Sequence, residues 1–150
     1  MQSNYGCEPG FFYFILASHI RHALIKPGLA AMTIDELIKR LNNDPDNIDF
    51  SEVISTIERS YCYSPTRFHN GSGSAAVTNE AGTNEGSCKI FAFGKLNHLS
   101  ERLTLACFGK YYREDVLGHP DNDDHTNIRN FILHGWEGIR FEGEALQAKD

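Results

Sequence analysis

The chain has 150 residues, of which 41% are hydrophobic, 23% charged and 11% aromatic, with a formal charge of −6. That length suits one domain able to bury a core without metal or disulfide staples, and that composition excludes wholesale disorder. The acidic balance repels phosphate backbones and anionic membranes; Arg102, Lys110, Arg113, Arg129 and Arg140 are scattered, each with an acidic residue near it in sequence, so neither nucleic acid nor a membrane is expected as a partner.

Glu8, Arg21 and Lys26 give residues 1–31 a charge of +1, which leaves −7 on the remainder. The run Phe11–Ala17 reads FFYFILA, too short to span a bilayer. Its basic residues follow the apolar stretch, whereas a signal peptide places them before it. A buried strand or a short membrane-anchoring segment are the other readings of this run. At Met32 the chain reads MTIDELIKRL, where Thr33 can cap a helix and Glu36 completes a capping box. The expectation is that translation starts at Met32, that residues 1–31 are a non-native or disordered extension, and that residues 32–150 form the domain. A start at Met1 with a genuine extension is the alternative.

The first helix is expected over Ile34–Asn42, with Ile34, Leu37, Ile38 and Leu41 on one face. The second is expected over Phe50–Tyr61, capped by Asp49 with Glu52 at its third position. A short link between two amphipathic helices suggests an antiparallel hairpin. Thr66–His69 reads as a short strand ended by Asn70-Gly71, and residues 70–86 as one long loop, mobile or functional. A third helix is expected over Cys88–Asn97 and reads as central, since Ile90, Phe91, Phe93 and Leu96 leave little polar face; Gly94 allows a close neighbour. A fourth is expected over Glu101–Tyr112, a polar connector at His119–Asp124, and a fifth helix over Thr126–Trp136 with Ile128, Phe131, Ile132 and Trp136 on one face. Ile139–Glu142 alternates as a second strand that pairs with Thr66–His69. The fold class is therefore α+β, mostly α: a single compact domain of about five helices with a small two-stranded β element.

The cysteines Cys7, Cys62, Cys88 and Cys107 lack C-x-x-C spacing. The last three lie among apolar residues, as small buried thiols do, and a reducing cytosol is the simpler reading.

Several separated blocks carry a family resemblance. Pro65-Thr66-x-Phe68-x-Asn70-Gly71 is followed by Asn84-Glu85-Gly86-Ser87-Cys88-Lys89-Ile90-Phe91-Ala92-Phe93. Next come Thr104-Leu105-Ala106-Cys107-Phe108-Gly109-x-Tyr111-Tyr112-Arg113 and Asp115-Val116-Leu117. The last blocks are Asp124-His125-x-Asn127-Ile128-Arg129-Asn130-Phe131 and His134-Gly135-Trp136-x-Gly138-Ile139-Arg140-Phe141. Together they resemble the HopJ type III effector family from Met32 to about Lys149. The resemblance implies a bacterial protein, cytoplasmic and exported by a type III secretion system, that acts by contacting another protein. It implies no catalytic residue and no cofactor.

Three constellations offer chemistry. Cys88 sits at the expected start of the third helix, where backbone N–H groups and the helix dipole lower a thiol pKa; a cysteine-dependent hydrolase would pair it with His125, His134 or His69. The alternative is a small buried thiol. The connector between His119 and His125 has imidazoles and carboxylates, which together can bind a divalent metal, so a cytosolic small-ligand or metal-binding protein using the His119–His134 region is a further alternative. The connector fails the calcium-loop pattern and the i, i+4 spacing of helical zinc ligands, so no metal ligand is assigned. His125 and Arg129 share a helical face, as do Asn130 and His134, and with Tyr112 and Arg113 they could bind a carboxylate or phosphate; the alternative is that Arg129 pairs with Asp124, Asp115 or Glu114. Finally, the polar entrance of the third helix, Asn84–Lys89, needs polar neighbours, so the segment His119–His134 is expected beside it, with His125 or His134 near Cys88.

Overall fold

The computed structural model describes residues 31–150; residues 1–30 of the expected extension, with the apolar run Phe11–Ala17, lie outside the described residues. Helix α1 spans Ile34–Asn43. Thr33 Oγ1 accepts the Glu36 N–H at 3.2 Å while Glu36 accepts the Thr33 N–H at 2.8 Å, forming the expected capping box. Leu37 and Leu41 are fully buried. After a 3₁₀ turn at Pro45–Asn47, α2 spans Phe50–Ser60 with a second capping box of Asp49 and Glu52. An Arg40–Glu52 ion pair of 3.0 Å links the two helices.

The expected end of the second helix at Tyr61 is corrected. Tyr61 is already extended and opens β1, Tyr61–Tyr63, which pairs antiparallel with β5, Leu146–Ala148. The expected pairing of the two candidate strands is found, Phe68 opposite Phe141 and His69 opposite Arg140, between β2 (Phe68–Asn70) and β4 (Arg140–Phe141). A third strand joins them from inside the stretch read as a long loop: β3, Val77–Asn79, pairs antiparallel with β2, so the order is β3-β2-β4.

Helix α3 spans Glu85–Leu96 and runs through the core. Ile90, Phe91 and Phe93 are fully buried. The Phe91 ring lies 4.9 Å from Phe131, 5.5 Å from Phe108 and 6.0 Å from Phe68, centroid to centroid. A Cβ added at Gly94 would sit 2.8 Å from Thr104 Oγ1 and 2.9 Å from the Trp136 ring, so glycine there is what lets α4 and Trp136 close on α3.

Helix α4 is shorter than expected, Glu101–Ala106. Gly109 stops it, with φ of +59° and its Cα so close to the Phe50 amide that a side chain has no room. The chain resumes as a π-helical segment, Tyr111–Val116. Helix α5 spans Thr126–His134. It ends at Gly135, φ +58°, against which the Glu101 carboxylate packs while accepting the Trp136 N–H at 3.1 Å. Trp136 therefore lies in a 3₁₀ turn, not in the helix, and its indole N–H donates to the Leu99 carbonyl. Ile132, expected on the buried face, is 42% exposed.

Candidate functional site

The beginnings of α3 and α5 meet. Asn84 precedes α3 with φ of 48° and His125 precedes α5 with φ of 50°, both in the left-handed region, and neither side chain caps its helix. The first-turn N–H groups of each helix are thus left without a side-chain acceptor. Between them lies a cleft of about 600 Å³ lined by Asn84, Gly86 and Ser87 on one side and by His125, Thr126, Asn127 and Ile128 on the other. Phe50, Val77, Phe108 and Tyr111 complete it with apolar surface.

An asparagine network holds this arrangement. Asn127, at the second position of α5, accepts from Asn70 and Asn79 at 3.0 Å each and donates to Asn79 at 2.8 Å; Asn84 donates to Asn79 at 2.7 Å. Asn130 donates to the carbonyls of Asn70 and Ala75. Asn70, Asn79, Asn127 and Asn130 are all buried, so β2, β3 and both helix starts are joined by polar contacts shielded from water. The sequence reading missed this network. Its members are far apart in the chain, and no periodic pattern marks them.

His125 is fixed from the other side. Its Nε2 lies 3.0 Å from Asp115 Oδ2 and 4.0 Å from an Asp124 oxygen, and its ring lies 5.4 Å from that of Tyr111. Asp115 and Tyr111 both come from the π-helical segment. Such insertions recur at functional sites. From the sequence, Asp115 was a candidate partner of Arg129; it pairs with His125 instead, while Arg129 pairs with Asp124.

The structure places the helix-three entrance beside the segment that starts at His125, as the polarity argument expects, but it does not form the Cys–His pair. Helix α3 starts three residues before the expected position, so Cys88 lies past the first-turn donors and its own N–H bonds to the Asn84 carbonyl. Cys88 is 1% exposed, on the flank of α3 turned toward the strands, with Sγ 3.6 Å from the Thr66 carbonyl. Burial pushes its pKa up, against a smaller lowering by the Tyr63 phenol. Burial, and then the neighbouring Cys88, raise the Tyr63 hydroxyl in turn. His134 bonds elsewhere, its Nδ1 3.1 Å from Ser72 Oγ. The free thiols among the described residues are Cys88 and Cys107, both buried. Cys62, expected as a buried thiol, is half-buried in β1.

The expected ligand-binding arginines have structural partners. Arg129 donates to the carbonyls of His119, Pro120 and Asp124 and pairs with the Asp124 carboxylate at 2.7 Å, holding the connector against α5. That contact keeps the exposed Asp124 carboxyl below its ordinary pKa. Arg113 donates to the Ile48 carbonyl at 3.0 Å, tying the π-helical segment to the turn before α2. Tyr112 is half-buried against the core and does not line the cleft.

The fold and cleft define a mostly helical α+β protein with a polar-rimmed cleft where two helices begin. The chain belongs to the HopJ type III effector protein family, whose model matches residues 34–146. It is similar to a solved structure described as an unknown function protein, VPA0580, with 50% identity and a TM-score of 0.76 over 80% of this chain and 97% of that one. No curated protein matches. Among the described residues, no helix is long and apolar enough to cross a membrane.

Proposed function

We propose that the protein binds a small, uncharged, partly apolar molecule bearing a hydrogen-bond acceptor such as a carbonyl, in the cleft between the starts of α3 and α5. The cleft carries this reading. It combines aromatic and aliphatic walls with a few convergent polar groups, the usual composition of small-molecule sites. No Lys or Arg lines it, and Asp115 stands beside His125, so an anionic ligand has no counter-charge while a carbonyl oxygen has donors. The probe is p-nitroacetophenone, a neutral aromatic ketone. Titrated into ¹⁵N-labelled protein, it is expected to shift the amide signals of residues 85–87 and 126–128, and Val77→Trp, which fills the cleft, is expected to remove the effect. Shifts that are absent at millimolar probe, or that persist in Val77→Trp, overturn the reading.

A second reading follows from family membership: an effector exported by a type III secretion system that acts on another protein. The observation that favours protein contact is the outer face of α5, where Leu133 is 75% exposed and Ile132 is 42% exposed. A translocation reporter fused to the chain tests export. Leu133→Glu is expected to weaken a protein contact without altering probe binding in the cleft.

A further inference from the structure

Resting on the cleft reading above, we infer that the cleft also does chemistry: His125 is the acid–base group of a site that hydrolyses small carboxylic esters, and Asp115 is its positioning residue. His125 is the one imidazole among the residues that line the cleft. Its Nε2 is held by Asp115 at 3.0 Å, and among the described residues Nδ1 has no hydrogen-bond partner. An ionised carboxylate only accepts, so the bonded Nε2 carries the proton and Nδ1 presents its lone pair. A carboxylate that fixes tautomer and ring orientation is the arrangement by which histidine serves as a general base. The other charged groups facing the imidazole are Asp124, at 4.0 Å, and Arg129, which neutralises Asp124 at 2.7 Å. Asp115 is left as the carboxylate that supports the imidazolium formed during turnover.

The surroundings choose the substrate. A neutral ester has no charge to compensate on binding. Its carbonyl oxygen becomes negative only in the transition state, and the backbone N–H groups at the starts of α3 and α5 stand ready as donors for an oxyanion. The apolar walls formed by Phe50, Phe108 and Tyr111 suit the acyl or aryl part. Water bonds to the carbonyl carbon while His125 Nδ1 takes one of its protons, and the carbonyl electron pair moves onto oxygen. Collapse of this intermediate reforms the carbonyl and breaks the bond to the alcohol oxygen, which receives the proton back from His125. The products are a carboxylic acid and an alcohol, with no oxidation or reduction.

The test uses the full chain and p-nitrophenyl butyrate. Release of p-nitrophenol is expected to exceed the buffer rate and to fall by about 100-fold or more in His125→Asn. Asparagine tolerates the left-handed backbone at this position, so the variant is expected to keep the wild-type circular dichroism spectrum. His119→Asn, which changes an exposed histidine outside the cleft, should leave the rate unchanged. Asp115→Asn is expected to lower kcat with little effect on KM and to displace the pH–rate profile, which a merely structural role would not do. If p-nitroacetophenone binds but the ester is not hydrolysed, or if His125→Asn keeps the wild-type rate, the inference is overturned and the binding reading stands. If the ketone does not bind, both fall. Should His125→Asn fail to fold, an unchanged profile in Asp115→Asn overturns the inference on its own.

Discussion

Asn127 shows how much one side chain can decide. Its amide nitrogen donates to Asn79 and its carbonyl oxygen accepts from both Asn70 and Asn79, in a place that is 7% exposed. Buried amides tolerate loss of a partner poorly, because a donor left bare keeps its desolvation cost without compensation. Asn127→Ala is therefore expected to destabilise the protein by about 1–3 kcal/mol for each bare donor. It should also loosen both sides of the cleft, seen as faster amide exchange at the starts of α3 and α5. Urea unfolding with an unchanged midpoint would show that the network contributes nothing. Cys88 makes the opposite point. Helix-start position and neighbouring histidines suggested an activated thiol, yet its burial and raised pKa describe an inert one. Iodoacetamide at neutral pH is expected to label Cys88 and Cys107 only after unfolding, Cys107 being held at about 12 by its burial. Rapid labelling of Cys88 in the native protein would contradict this.

Among the elements, the ends of helices shape the cleft more than their middles do. The α4 interruption at Gly109 allows the following turns to wind as a π-helix, and that segment delivers Tyr111 to the cleft and Asp115 to His125. Gly109→Ala would place a Cβ 2.8 Å from the Phe50 nitrogen at φ of +59°. It is expected to cost about 2 kcal/mol or more and to disturb the His125 environment. At Gly118 an added Cβ meets nothing within 4 Å, so Gly118→Ala is the control and should be close to neutral. Thermal melts in which the two variants behave alike would remove Gly109 from this role. The same contrast explains what could be read from sequence. The apolar stripes of α1 and α2 and their capping boxes obey local rules, and the expected helices sit within a few residues of the observed ones. The pairing of β2 with β4 followed from there being only two alternating segments. Strand β3 was hidden in a Gly- and Ser-rich stretch because its three residues hold to β2 through backbone bonds and the buried Asn79, not through an apolar pattern. Gly109 and Gly135 could be seen as glycines but not as stops, since their collisions are with Phe50 and Glu101, distant in sequence. The cleft was legible only as a need of the α3 entrance for polar neighbours. Which histidine met it, and with which carboxylate, depended on the π-helical turn.

At the scale of the whole molecule, carboxylates held by hydrogen bonds and ion pairs make its stability depend on acid. Glu142 closes the sheet edge, with one oxygen 2.6 Å from His69 Nε2 and 3.4 Å from Arg67, while Arg67 also reaches Glu80 at 3.2 Å. The hydrogen bond from His69, and then the charge of Arg67, lower the Glu142 pKa. Asp124 is lowered chiefly by its bond from Arg129, and Glu36 by the N–H and hydroxyl of Thr33. Each group has a lower pKa folded than unfolded, so the unfolded chain binds more protons as acid is added. The resulting stabilisation is fully present above the ordinary carboxylate values, about 4, and is lost as pH falls through the lowered folded-state values. All three carboxylates are exposed to solvent, so each contribution is screened and the expected effect is a graded decline, not a sharp switch. The midpoint of thermal unfolding should therefore be flat from pH 7 down to about pH 5 and fall below that. Glu142→Gln cannot gain or lose this proton and keeps a hydrogen-bonding group beside His69. It is expected to be less stable than the parent at pH 7 and to lose less on acidification, so that the two melting curves converge near pH 3 or below. Curves that stay parallel across the range would show that the His69–Glu142–Arg67 cluster does not couple the sheet to proton binding.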